Sequence, residues 1–189
     1  MLEESFPETL ARARTGDEHA FALIYRDVQP GLLRYSRSNA PGGHGEDITG
    51  EVWLEVARAL HRFAGDEQGF RAWAFTIARR KIIDHVRRDA RRPTILLEDP
   101  EEFRLQEARD VAEDYEDGEA TRQALALVRT LPPDQAEVIL LRVVAGLDNT
   151  QVAGLLGKTP GAVRVLSHRG LRRLATLVTE NMTAGGVER

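Results

Sequence analysis

The chain has 189 residues, of which 30% are charged and 42% hydrophobic, and this composition is typical of a globular protein with one medium domain or two small ones. It has no cysteine, which excludes disulfides, thiolate metal sites and cysteine nucleophiles and fits a cytoplasmic protein. No stretch approaches the roughly 20 apolar residues of a membrane span, and the N-terminus lacks the pattern of a signal peptide, so we expect neither membrane insertion nor secretion.

The charge is distributed unevenly along the chain. Residues 98–119 contain eleven acidic residues and two arginines, a net charge of −9, so the remaining residues carry +5 although the total is −4. This acidic stretch has few large apolar residues and no strong periodicity, which predicts a largely disordered linker over residues 94–118. Because the rest of the chain is basic, the negative total does not exclude a nucleic-acid partner.

Helical periodicity begins near the N-terminus. Residues 7–14 predict a short helix, and Thr15 with Glu18 predicts a capping box that starts the next one. We expect that second helix to bend at Pro30, and residues 41–45 to form a loop. Its predicted buried stripe consists of Phe21, Ile24, Tyr25, Val28, Leu32, Leu33 and Tyr35.

Residues 46–63 predict a helix with an apolar and an acidic side. Asp47, Glu51 and Glu55 line the acidic side, which either complements the helix dipole or forms a docking face for a basic partner. Gly50 inside this helix costs about 1 kcal/mol relative to Ala, so we expect another backbone to approach it closely. The predicted inner stripe consists of Ile48, Val52, Val56, Ala59 and Phe63.

Residues 70–92 predict one continuous helix that ends before Pro93. Its core stripe is predicted to consist of Phe75, Ala78, Ile82 and Val86. The opposite side combines aromatic and aliphatic groups with a row of cations: Trp73, Ile77, Arg80, Asp84, Arg87, Arg88 and Arg91. Such a face attracts phosphates, and an exposed Trp can stack on an unpaired base, which suits DNA with separated strands. The alternative is a solvated basic surface in which Trp73 and Phe70 complete a small core.

The C-terminal part predicts four helices with clear starts and stops. The first covers residues 119–130, and the second starts at the prolines 132–133, places Val138, Ile139, Leu141 and Val144 in a core and ends at Gly146. Asp148 with Gln151 predicts a capping box for a short helix that stops at Gly157, and Thr159 and Pro160 begin the last helix, which runs to about Val178. Two helices joined by such a turn predict a helix-turn-helix.

The last helix also has two faces. Its inward residues are predicted to be Val163, Leu166, Gly170, Leu174 and Leu177. Its outer face holds Gly161, Arg164, Val165, His168, Arg169 and Arg172. A major groove admits such a helix, Arg can pair with guanine edges, and Val165 can contact a thymine methyl. A plain bundle of three or four helices with a solvated basic helix is the alternative.

Four blocks of the chain, in order, resemble the bacterial extracytoplasmic-function (ECF) sigma factors, the small initiation subunits of RNA polymerase. They are GDEHAFALIYRDVQPGLLRY, EDITGEVWLEVARAL, FRAWAFTIARRKIIDHVRR and the long block that begins LPPDQAEVILLRVV. The resemblance implies an all-α fold with two small helical domains, sigma domain 2 over residues 1–93 and the helix-turn-helix sigma domain 4 over residues 119–180. A flexible acidic linker over 94–118 joins them, and a disordered tail follows over 181–189.

The resemblance also implies a role for each block. Polymerase binding is implied for Asp47, Glu51, Trp53 and Glu55. Melting and capture of the minus-ten promoter element as single strand is implied for Phe70, Trp73, Arg79, Arg80, Lys81, Asp84, His85, Arg87 and Arg88. Duplex binding at the minus-thirty-five element is implied for Thr159, Gly161, Arg164, Val165, His168, Arg169 and Arg172. The implied partners are the beta and beta-prime subunits of core RNA polymerase, promoter DNA and an anti-sigma factor.

Two other classes of function stand beside this one. A stand-alone helix-turn-helix regulator would use its N-terminal half to sense a ligand or to dimerise, and it would bind duplex DNA without polymerase. An enzyme is disfavoured, because the five histidines are scattered and no metal spacing, nucleophile motif or Gly-rich phosphate loop occurs. We therefore expect no catalytic residue, cofactor, metal or small-molecule substrate.

Overall fold

The computed structural model describes residues 5–89 and 118–184. Every regular element within these two ranges is helical, which confirms the all-α prediction. The chain divides into two compact units, Met1–Glu113 and Asp114–Arg189. The predicted linker lies outside the described residues up to position 117, and so do Arg91 and the last residues of the tail.

The first unit contains four α-helices. They are α1 (Phe6–Arg14), α2 (Glu18–Asn39), α3 (Gly45–Ala59) and α4 (Glu67–Asp89). Short 3-10 helices at Pro41–Gly43 and Leu60–Arg62 occupy two of the connections. Helix α2 continues through Pro30 without interruption.

The predicted capping box at the start of α2 is wrong. The hydroxyl of Thr15 donates to the carbonyl of Arg12 at 2.8 Å, so this residue closes α1 instead of opening α2. Gly16 then reverses the chain with a φ of 94°. Asp17 is the true cap, since its carboxylate accepts a hydrogen bond from the backbone N–H of Ala20 at 3.0 Å.

The core of the first unit is formed where α2, α3 and α4 pack together. Ile24, Ile48 and Phe75 are among its fully buried side chains, and most of the predicted stripes are confirmed. Two predictions are wrong in opposite directions. Val86 is 47% exposed, because α4 has by then passed the end of the core, whereas Ile77 is only 3% exposed.

The second unit also contains four α-helices. They are α5 (Glu119–Arg129), α6 (Pro133–Ile139), α7 (Asn149–Leu156) and α8 (Pro160–Ala184), and α6 continues into a π-helical turn at Leu140–Val144. The capping box of Asp148 and Gln151 is confirmed. Helix α8 runs to Ala184, so it is six residues longer than the predicted end at about Val178.

The second core lies between α6, α7 and the first half of α8. Val138, Leu141 and Val163 are fully buried there, while Val144 is only half-buried. Within the described ranges, no helix is both long enough and apolar enough to cross a bilayer.

Candidate functional sites

The predicted DNA-facing residues of α4 fall into two groups. Arg80, Asp84, Arg87 and Arg88 are exposed and lie along one side of the helix. Lys81 and His85 point toward α3, and their side chains are only 19% and 14% exposed. Arg79 is half-buried. A polyanion therefore finds some cations of this helix open and others already enclosed.

The aromatic residues at the start of α4 belong largely to the core. Phe70 is fully buried and lies edge-on to Phe63, with ring centroids 5.4 Å apart. Trp73 is half-buried and stacks on Phe63, with centroids 5.1 Å apart and planes inclined by 20°. Phe63 thus covers one face of the indole, a role that its assignment to the α3 stripe missed.

Glu51 of α3 is bound by two groups of α4. Its Oε2 lies 3.0 Å from Lys81 Nζ, and its Oε1 lies 3.6 Å from His85 Nε2. The hydrogen bond from Lys81 holds the pKa of Glu51 below its ordinary value, and His85 acts in the same direction. The ring of His85 also lies against His44, with centroids 5.7 Å apart.

Glu55, one turn further along α3, is bound in the same way. It accepts a hydrogen bond from Arg80, and its Oε2 lies 3.6 Å from Lys81 Nζ. The hydrogen bond from Arg80 lowers the pKa of Glu55. Two of the four residues predicted to bind polymerase are therefore paired with residues predicted to bind DNA.

The other two predicted polymerase-binding residues differ from each other. The Asp47 side chain is 79% exposed and lies 3.7 Å from His44 Nδ1. Trp53 is 93% buried, and its Nε1 donates to Gln29 Oε1 at 2.6 Å. It packs against Tyr25 at 4.8 Å between ring centroids. Tyr25 itself is 37% exposed, so its predicted place in the buried stripe is wrong. Trp53 therefore packs α3 against α2 beneath the predicted polymerase-binding side and is not itself exposed on it.

The predicted approach of another backbone to Gly50 is wrong within this chain. Gly50 is exposed, and a Cβ atom built on it would have no neighbour within 4 Å. Leu54, one turn away, is 59% exposed. The acidic side of α3 therefore includes an exposed patch at Gly50 and Leu54 that no other part of the described chain covers.

Helix α8 presents the predicted outer face to the surface. Val165 is 47% exposed, and the other five outer residues are exposed as well: Gly161, Arg164, His168, Arg169 and Arg172. Thr159 caps the helix, because its hydroxyl accepts a hydrogen bond from the backbone N–H of Ala162 at 3.2 Å. An open cleft of about 640 Å³ lies beside this helix start and is lined by Gly157, Lys158, Thr159, Gly161, Ala162, Val165 and Leu166.

One contact sets how closely α8 packs on α6, and a second closes the corner before α7. A Cβ atom at Gly170 would lie 3.1 Å from Ile139 Cγ1, so the glycine allows α8 to approach α6 closely. Arg142 Nη1 donates to the carbonyl of Leu147 at 2.7 Å and closes the corner before α7. The π-helical turn that carries Arg142 was not predicted, since no composition signal distinguishes it from α-helix.

No group of three or more His, Cys, Asp or Glu side chains in the described part of the chain is arranged to hold a metal ion. The two sites are instead made of cations, a few acids and apolar groups. Such surfaces bind macromolecules through charge and shape.

Comparison with known families accounts for both units. Residues 24–92 match Sigma-70 region 2, and residues 121–174 match Sigma-70, region 4. The chain is 34% identical over 177 residues to the ECF RNA polymerase sigma factor ShbA of Streptomyces griseus, covering 89% of this chain and 93% of ShbA. The chain belongs to the ECF RNA polymerase sigma factors.

Other ECF sigma factors show the same relationship. The sigma factor SigD of Mycobacterium tuberculosis is 33% identical over 182 residues, with 92% of this chain and 84% of SigD covered. BldN of Streptomyces coelicolor is 31% identical, and the match spans 92% of this chain but 66% of BldN. The family is non-enzymatic, in agreement with the prediction from the sequence.

Two solved structures share the fold of this sigma factor. CnrH in complex with the cytosolic domain of CnrY has a TM-score of 0.61 and 23% identity, covering 94% of this chain and 99% of CnrH. RpoE from Bartonella quintana, in complex with the anti-sigma factor NepR, has a TM-score of 0.59 and 18% identity, covering 89% of this chain and 98% of RpoE.

Proposed function

We propose that this sigma factor binds core RNA polymerase in the cytoplasm, directs it to promoters with two elements and promotes melting of the DNA. The observation that carries the proposal is the presence of two separate basic surfaces, on α4 and α8, in units that match regions 2 and 4. Each surface suits a different form of DNA. A protein that binds only duplex DNA through a helix-turn-helix would not need the basic surface on α4.

The α4 surface is proposed to hold the separated strand of the minus-ten element. Arg87 and Arg88 are exposed and can neutralise phosphates, and Arg80 lies on the same side. Because Phe70 is buried, we assign it to the core under this surface. Trp73 remains a candidate to stack on a flipped base with its face opposite Phe63. Captured bases would offset the few kcal/mol lost on unstacking.

The α8 surface is proposed to read the minus-thirty-five element as duplex. Arg164 and Arg169 can contact guanine edges or phosphates, and Val165 supplies an apolar contact for a thymine methyl. The N-terminal turn with Thr159 and Gly161 is open enough for a phosphate to approach the backbone.

Polymerase binding is proposed for the acidic side of α3, where Asp47 is exposed and Glu51 and Glu55 are half-buried. These three acids would face basic residues of the core enzyme. Binding to both the beta and beta-prime subunits is part of the same proposal. An anti-sigma factor is a further proposed partner, and RpoE, which shares the fold, was solved with one. No small-molecule substrate is part of this proposal.

Runoff transcription with purified core polymerase tests the proposal. The variant Arg87→Ala/Arg88→Ala should bind core normally but lose open complexes, seen as loss of permanganate-reactive thymines in the minus-ten region. Each single-strand phosphate contact is worth about fivefold in affinity at ~0.1 M salt, so the loss should be roughly 25-fold.

The matched control is Arg26→Ala/Arg62→Ala, which removes two exposed arginines of the same unit that are not on α4. This variant should transcribe like the unaltered protein. Normal melting by the α4 variant would contradict the role of that surface, and failure of the unaltered chain to associate with core would contradict the proposal as a whole.

The stand-alone regulator is the second candidate, favoured only by the helix-turn-helix itself. It would bind a palindromic duplex tightly without polymerase, which a gel shift with the protein alone detects. The match of residues 24–92 to Sigma-70 region 2 favours the sigma factor instead.

A further inference from the structure

The acids of α3 and the bases of α4, which the proposed function assigns to two different partners, bind each other in the free protein. Glu51 contacts Lys81 at 3.0 Å and His85 at 3.6 Å. Glu55 binds Arg80 and lies 3.6 Å from Lys81. The two acids are one helical turn apart, so together they contact the middle of α4, at Arg80, Lys81 and His85.

This arrangement limits what DNA can reach. The side chains of Lys81 and His85 are mostly buried beside Glu51. The Lys81 ammonium binds the Glu51 carboxylate through the same N–H groups that a phosphate oxygen would use. Arg80 is 57% exposed, yet its guanidinium is bound to Glu55. By contrast, Arg87 and Arg88 have no ion-pair partner among the residues that the structure describes.

We propose that Glu51 and Glu55 form an autoinhibitory contact that occupies the phosphate-binding groups of α4 until a partner engages these two acids. The inference rests on the proposed function, because it takes α3 as the polymerase-docking helix and α4 as the single-strand-binding helix. Basic residues of the polymerase that bind Glu51 and Glu55 would release Arg80 and Lys81 to DNA. Docking and strand capture are then coupled, since both compete for the same ion pairs.

The size of the inhibition follows from counterion release. On single strands each added phosphate contact changes the slope of log affinity against log salt by about −0.7, which is about fivefold in affinity at ~0.1 M salt. Release of Arg80 and Lys81 adds two contacts. We therefore expect about 25-fold tighter binding and a slope steeper by about 1.4.

The experiment measures binding of fluorescein-labelled (dT)12 to the full chain by anisotropy, without polymerase, over a range of salt concentrations. Glu51→Gln/Glu55→Gln should show the gain in affinity and in slope. Adding Lys81→Gln to this variant should remove about fivefold of the gain, because one of the released cations is gone.

The matched control is Glu46→Gln/Glu119→Gln. It produces the same change in net charge, but these acids pair with Arg37 and Arg122, neither of which is on α4. Its affinity for (dT)12 should stay within about twofold of the unaltered protein, since no phosphate contact is added. An equal gain in this control would show an effect of net charge and would overturn the inference.

A second variant, with a single substitution, guards against the case in which the double variant fails to fold. Glu55→Gln alone breaks a surface pair, which contributes little to stability, and should release Arg80 for an approximately fivefold gain. Unchanged (dT)12 binding in both Gln variants, with native circular dichroism, overturns the inference. A failure of the proposed function would instead appear as absent binding to core polymerase, which is measured separately.

Discussion

The pKa values of Glu51 and Glu55 on α3 are set by groups on α4. Both carboxylates have a pKa below the ordinary value, caused mainly by the hydrogen bonds from Lys81 and Arg80 respectively. A carboxyl group whose pKa is lower in the folded state stabilises that state while it is ionised. This stabilisation is present above the unfolded pKa of about 4.3 and is lost as the pH falls through the lower, folded pKa.

Urea unfolding of Glu51→Gln/Glu55→Gln tests this pH dependence. At pH 7 the variant should be less stable than the unaltered protein, by no more than about 1 kcal/mol because both carboxylates are partly solvated. The difference should shrink as the pH is lowered below about 4, when the carboxylates of the unaltered protein become protonated. Tryptophan fluorescence reports the transition, since both Trp residues lie in the first unit.

Glu46→Gln is the control for this measurement, because it makes the same chemical change on α3 outside the network of α4. A stability difference between the double variant and the unaltered protein that stays constant from pH 7 to pH 3 would contradict the assigned cause of the two pKa shifts.

At the scale of a helix, α3 carries a glycine that its own fold does not require. No neighbour approaches Gly50, and the helix is continuous on both sides of it. Glycine in a helix interior lowers stability, because it has more backbone freedom in the unfolded chain. An external reason, such as close contact with a docking partner, is consistent with its place beside Asp47 and Glu51.

We expect Gly50→Ala to stabilise the first unit by about 0.5–1 kcal/mol. Urea unfolding followed by tryptophan fluorescence measures the change. Gly146→Ala makes the same substitution at a φ of 69° and should destabilise the second unit, which circular dichroism detects. A loss of stability in Gly50→Ala would contradict this expectation, because it would require a steric clash at a position where no neighbour lies within 4 Å of a built Cβ atom.

At the scale of the molecule, the two units have separate cores and separate probes. Both Trp53 and Trp73 lie in the first unit, whereas circular dichroism reports the helices of both. If the units unfold independently, the two signals give transitions that do not coincide.

Gly170→Val tests this independence. The added side chain must enter the close contact between α8 and Ile139, so we expect a loss of about 1–3 kcal/mol in the second unit. The circular dichroism transition should shift, while the fluorescence transition stays in place. Gly154→Val, at an exposed site of α7 with no neighbour within 4 Å of a built Cβ atom, should be much milder. A parallel shift of the fluorescence signal would contradict separate cores.

The sequence alone was sufficient wherever the signal was local. The order of the helices, the capping box at Asp148, the stops at Gly146 and Gly157 and the exposed face of α8 all depend on residues within a few positions of each other. The same local logic failed at Thr15, because Thr15 and Asp17 can both act as caps and the turn at Gly16 decided between them.

Only the tertiary structure decided which functional groups of the first unit are open. Helical periodicity gives the direction of a side chain from its own axis, but not what lies opposite. It therefore placed Ile77 with the DNA-facing residues, although Ile77 is buried. The family resemblance did the same for Phe70, which is also buried. The pairing of Glu51 with Lys81 joins residues 30 positions apart, and such a contact is fixed by the packing of α3 on α4, because neither helix by itself contains the other's charge.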